Sequence, residues 1–253
     1  MTKIPGLTKS SKISQIGTPK TASASTRFNL PLTNHIPAYH LHPGRCYHGC
    51  MAPKRGPTWD LDKIVTMVEQ TKRRDPDQMW FAVVRNPFDW LVSYYFHNET
   101  GAYGKHFGWN NSTKKHGIKS FEDFIQKYCD PKFDWHEPVL HDSPYGMMFD
   151  RKGKCICDFA IRFEHLSEGY KVICDQMGAK PGVKHLHNNR KRKKDYRTYY
   201  TPEMRKLVED KFANELKLFQ YDFDKGILTN EPVIPTAKSL TLRCHLPKDP
   251  NKP

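Results

Sequence analysis

The sequence predicts an α/β fold. We read a single domain in which a mostly parallel central sheet is flanked by helices, with a P-loop-like loop after the first strand. Two observations carry this reading. A short strand from Ile13 runs into a lysine and a cluster of small hydroxyl residues at the start of a helix, and a buried apolar strand ending at Val84 passes through Asn86 and Pro87 into helically spaced Phe88, Leu91, Val92 and Tyr95. The 253 residues suffice for one sizeable core but would stretch thinly over two.

Taken in order, residues 1–12 are polar and read as a flexible N-terminal arm. A first strand follows at 13–18 and a short helix at 24–33, stopped near Pro31. The segment 34–57, rich in His, Pro and Gly, reads as a loop. Leu61, Ile64, Val65 and Val68 recur at helical spacing, so 59–73 is an amphipathic helix. The five apolar residues Trp80 to Val84 then mark a buried strand at 79–84. Asn86 and Pro87 supply the N-cap and first residue of a helix over 87–98.

Residues 100–118 form a long loop, and Phe121, Phe124, Ile125 and Tyr128 mark another helix. An irregular stretch at 130–146 precedes a hairpin turning at Arg151–Lys154. Helices at 165–177 and 202–218 complete the domain, the latter with Thr201 as N-cap and Pro202 at its first position. The main domain is therefore 13–224, and 225–253 reads as a polar tail interrupted by five prolines.

Two segments suggest chemistry. In Ile16–Arg27 an apolar strand runs through Pro19 into Lys20 and then Thr21, Ala22, Ser23, Ala24, Ser25 and Thr26. A lysine, hydroxyls and backbone N–H groups at the start of a helix suit a tetrahedral anion. The nucleoside triphosphatase pattern needs glycine directly before the lysine, and Pro19 stands there. In the second segment Arg85 ends the strand, while Asn86, Asp89 or Trp90, and Ser93 share a helical stripe away from Phe88, Leu91, Val92 and Tyr95. Arg85 and Ser93 can therefore face one anion.

These segments resemble the sulfotransferases that use 3′-phosphoadenosine 5′-phosphosulfate (PAPS). Pro19–Thr26 looks like the family's 5′-phosphosulfate motif, and Arg85–Tyr95 like the motif whose Arg and Ser hold the 3′-phosphate. Asp158–Leu166, Asp195–Glu203 and Phe219–Phe223 are similar to segments of carbohydrate-type members. The resemblance spans roughly residues 13–224. It implies PAPS as donor, a hydroxyl acceptor on a carbohydrate, and cofactor contacts from Lys20, Thr21, Ala22, Ser23, Ala24, Ser25, Thr26, Arg85 and Ser93.

The resemblance also places Lys20 where it neutralises charge on the departing phosphate. A base must take the acceptor proton, and His35, His40, His42 and His48 are available. Cys46–Cys50 looks like the Tyr-His-Gly-His segment of heparan sulfate 2-O-sulfotransferases, which favours His48 as base, with Cys50 where the second histidine would stand. His40, His42 or a carboxylate are the alternatives.

Cys46, His48 and Cys50, with Cys155 and Cys157, allow a rival metal reading. A C-x-C pair on an extended strand points both thiols one way about 6–7 Å apart, unlike common zinc knuckles, so no metal is expected. The run Arg190–Lys194 reads as a solvated charge run or as a contact to the 3′-phosphate or adenine, with Arg190 the residue singled out. It lacks aromatic interleaving, so no nucleic-acid partner is expected.

A formal net charge of +14 attracts polyanions, including an anionic glycan acceptor. There is no run of eighteen apolar residues and no signal-peptide pattern, and seven cysteines lack scaffold spacing. The expectation is a soluble cytoplasmic protein, or else a trimmed Golgi-lumenal domain. Two other function classes fit parts of the pattern: a P-loop-type nucleotide kinase and a non-enzymatic polyanion-binding module. Neither accounts for Lys20, Arg85 and Ser93 in family order.

Overall fold

The computed structural model describes residues 2–18, 21, 26, 29–36, 61–100, 117–132, 145–150, 152–180, 182 and 194–242, except the side chains of 34–36, 61–63 and 97–100. It is α/β, with a mostly parallel sheet flanked by helices. Its residues cluster into two compact units, one of 1–84, 142–187 and 230–253, the other of 85–141 and 188–229.

The first unit holds the sheet. Strands β1 (Lys12–Ile16), β2 (Leu32–Ile36), β3 (Gln78–Val84), β4 (Phe159–Arg162) and β7 (Val233–Ile234) lie in the order β2-β1-β3-β4-β7. The first four are parallel and β7 is antiparallel to β4. A parallel strand flanked on both sides must be apolar on both faces, and Trp80 to Val84 are all fully buried. One face packs Ile13, Phe81, Val83, Phe159 and Ile161 against Leu166, Tyr170 and Ile173 of a helix at Leu166–Met177. That helix approaches closely because Gly169 lacks a side chain: a Cβ there would stand 2.5 Å from Ile161 Cγ2. A second helix, α1 (Leu61–Arg74), packs against β3 and buries Ile64 and Val68.

Asp158, just before β4, is a buried hub. Its Oδ2 accepts from the Trp80 backbone N–H at 2.7 Å, and Lys72 and Lys238 both pair with it.

The second unit is helical. Its helices are α2 (Pro87–Thr100), α3 (Phe121–Cys129), α5 (Pro202–Lys211) and α6 (Ala213–Phe219), so the first unit's Leu166–Met177 helix is α4. A short hairpin of β5 (Tyr221–Asp222) and β6 (Gly226–Ile227) follows α6. Thr201 caps α5 by accepting from the Met204 N–H, with Pro202 at the first position, and Ser120 caps α3 in the same way. Trp90, Tyr94, Phe124, Tyr128 and Phe212 form an aromatic core of stacked and tilted rings.

The structure departs from the sequence reading at several points. Ile4 and Leu7, read as part of a flexible arm, are buried, and Gln176 brackets Ile4 by accepting from its N–H and donating to its carbonyl. Residues 32–36, placed partly in a loop, form β2. The single helix expected over 202–218 is two, divided at the buried Phe212, whose backbone leaves helical geometry. Part of the 225–253 tail is structured: β6 and β7 lie in it, and the Ala237 N–H donates to the Asp158 carbonyl. Of the expected hairpin about Arg151–Lys154, the described residues form the bridge Phe149 to Cys155, with the Asp150 N–H donating to the Lys154 carbonyl and the Ile156 N–H to the Met148 carbonyl. Two-residue strands carry too little periodicity to be read from a pattern.

Candidate active site

The β1 strand ends in a tight threonine network. Thr18 Oγ1 donates to the Val83 carbonyl, Thr21 Oγ1 donates to the Thr18 carbonyl at 2.8 Å, and the two hydroxyls lie 2.6 Å apart. Both threonines are fully buried. The chain leaving β1 is thus tied to the end of the neighbouring β3 strand. Thr26, also fully buried, has its hydroxyl 2.8 Å from Tyr170 OH on α4. Burial pushes the Tyr170 phenol up to about 12, with the Thr26 contact acting in the opposite direction. Thr21 and Thr26 therefore turn their hydroxyls into the protein.

Lys20, Ala22, Ser23, Ala24 and Ser25 lie outside the described residues, as do His40, His42, His48, Cys46, Cys50 and Arg190. Among the described residues, no three His, Cys, Asp or Glu side chains group as a metal site would require.

The second unit carries Arg85 and Ser93. Asn86 builds the start of α2: its Oδ1 accepts from the Phe88 N–H at 3.0 Å and its carbonyl from the Trp90 N–H at 2.8 Å. This is the N-cap expected from the sequence. The Asn86 amide also does something the sequence could not show. Its Nδ2 donates to the carbonyls of Gly226 (2.8 Å) and Asp222 (3.2 Å), fixing the β5–β6 hairpin to the helix start. Gly226 adopts φ +77°, and a side chain there would press on the Arg197 guanidinium at 3.2 Å.

Arg85 precedes this cap and is buried, 5% exposed. Its Nε and Nη2 both reach Asp89 Oδ2 at 2.6 Å. Ser93, 7% exposed, lies one turn beyond Asp89 on the same stripe of α2. Helix α2 is buried nearly all round through Tyr95, so the polar stripe of Asp89 and Ser93 is a deliberate exception in an apolar setting.

The segment 195–200 packs on the same helix start. Tyr196, Tyr200 and Phe223 surround Phe88, with ring centroids 6.4, 5.4 and 4.9 Å from it. Tyr200 OH donates to the Phe88 carbonyl at 2.9 Å and Tyr196 OH to the Phe223 carbonyl at 2.6 Å. Burial pushes the Tyr196 phenol up to about 12, so it stays a donor. Arg197 lies over the Tyr196 ring at 4.5 Å and is bound by both carboxylate oxygens of Asp195 at 3.0 Å.

The sequence reading named Arg85, Asn86 and Ser93 but gave no role to Asp89. The i,i+4 spacing of Arg85 and Asp89 was the available signal. Among the described residues no helix is long and apolar enough to cross a membrane.

No curated protein and no solved structure matches the chain. The model of the sulfotransferase family matches residues 7–222, taking in both the threonine network and the Arg85–Ser93 helix, and the chain belongs to that family.

Proposed function

We propose that this sulfotransferase takes the sulfuryl group from PAPS and gives it to a carbohydrate hydroxyl. The observation that carries the reading is the buried Arg85, held by Asp89 at the start of α2 with Ser93 one turn on. A cation kept in a mostly apolar setting is costly unless paired, and a guanidinium fork suits phosphate. On this reading Arg85 and Ser93 take the 3′-phosphate, with Arg190 as a further contact.

Backbone N–H groups of Thr21 to Thr26, with the hydroxyls of Ser23 and Ser25, take the 5′-phosphosulfate. The acceptor oxygen forms a bond to sulfur while the bond from sulfur to the bridging phosphate oxygen breaks. The electron pair leaves with adenosine 3′,5′-bisphosphate, where Lys20 offsets the charge, and the acceptor proton passes to His48. The reaction needs no metal. The net charge of +14 favours an anionic glycan as acceptor.

Two measurements test this. Adenosine 3′,5′-bisphosphate should raise the melting temperature and ATP·Mg²⁺ should not, because a ligand that binds only the folded state stabilises it by mass action. Radiolabelled PAPS should then label a uronic-acid or neutral glycan in preference to phenols or amines. Stabilisation by ATP·Mg²⁺ alone would indicate a kinase, and stabilisation by polyanions without either nucleotide would indicate a binding module.

A further inference from the structure

We propose that Asp89 is a positioning residue that aims Arg85 at the 3′-phosphate. This rests on the reading that Arg85 meets that phosphate. A guanidinium is a rigid planar fork, so fixing its Nε and Nη2 edge sets the direction in which its remaining donors point. Asp89 fixes that edge with one oxygen, Oδ2, at 2.6 Å from both nitrogens; the Arg85 side chain is buried and that of Asp89 is 13% exposed.

Asp89 is itself held. It occupies the first turn of α2, where a carboxylate is favoured by the helix dipole. That turn is pinned by Asn86 to Phe88 on one side and to the Gly226 carbonyl on the other. A flexible arginine would otherwise lose rotameric freedom on binding; here that loss has already occurred in the free protein. The carboxylate also cancels the arginine's charge, which weakens long-range attraction. What Asp89 contributes is therefore direction rather than charge.

That distinction is testable by calorimetric titration of adenosine 3′,5′-bisphosphate and adenosine 5′-monophosphate into wild type, Asp89→Ala and Asp89→Asn. The readout is the dissociation constant of the monophosphate divided by that of the bisphosphate, which isolates the 3′-phosphate. Asp89→Ala should reduce the ratio about tenfold, whereas Asp89→Asn, which keeps an acceptor oxygen in place, should hold it within about threefold of wild type. In an Arg85→Ala background, Asp89→Ala should change the ratio no further, since coupled residues are non-additive. Asp89→Ser replaces the alanine variant should the latter not fold.

An unchanged ratio in Asp89→Ala, an Asn variant as impaired as Ala, or a further loss in the Arg85→Ala background would each overturn the proposal. A wild-type protein with no preference for the bisphosphate would instead overturn the assignment of Arg85 itself, and the positioning role with it.

Discussion

Thr26 Oγ1 and Tyr170 OH lie 2.8 Å apart, tying the helical residue that follows the β1 turn to helix α4 across 144 residues of sequence. Both groups are buried. Burial raises the tyrosine's folded pKa from 10.0 to about 12. A raised folded value favours the protonated form in the native state, so this stability is complete below pH 10 and is lost as pH rises toward about 12.

Tyr170→Phe should therefore cost about 0.5–1.5 kcal/mol at neutral pH, through the lost hydrogen bond, and flatten the alkaline fall in stability. Flattening should be partial, because Tyr196 is raised in the same way. Urea denaturation followed from neutral to strongly alkaline pH measures both effects. An alkaline limb identical to wild type would show that Tyr170 ionises freely in the fold.

Arg85→Ala should weaken adenosine 3′,5′-bisphosphate binding about ten- to a hundredfold, from the 1.5–3 kcal/mol or so of a charge-assisted contact. Adenosine 5′-monophosphate binding should barely change. Equal losses for the two nucleotides, by titration calorimetry, would remove the pair Arg85 and Ser93 from the 3′-phosphate.

Lys20 and His48 separate by kinetics. Lys20→Ala should lower kcat by about two to three orders of magnitude, since its interaction strengthens as the phosphate departs, with a smaller rise in the KM for PAPS. His48→Ala should reduce turnover about a hundred- to ten-thousandfold while nucleotide binding survives. The wild-type rate should fall as pH drops below neutrality, where an imidazole base becomes protonated. A lysine variant defective only in KM, or a histidine variant with full kcat, would reassign these roles.

Asp158→Ala should destabilise the protein by about 1–3 kcal/mol, because the buried Trp80 N–H loses its acceptor. Asp158→Asn keeps an acceptor oxygen while losing the charge that faces Lys72 and Lys238, and should cost less. Chemical denaturation distinguishes them. Equal losses would mean that the two lysine pairings, rather than the Trp80 bond, carry the effect.

The sequence by itself determined the elements whose residues are periodic or capped. The apolar run 79–84, the Asn86-Pro87 start of α2, the Thr201-Pro202 start of α5 and the helical spacing from Leu61 and Phe121 are local signals, and each element forms where they point. Arg85 and Ser93 were legible for the same reason, since one strand end and one helix stripe place them. Tertiary structure alone decided the rest. Strand β7 exists because β4 offers it an edge. Ile4 and Leu7 are core because α4 receives them. Asn86 clamps a hairpin 136 to 140 residues away, and Thr21 and Thr26 spend their hydroxyls on Thr18 and Tyr170. Each of these depends on a partner distant in sequence, and a hydrogen bond or buried contact of that kind leaves no periodicity in the chain that makes it.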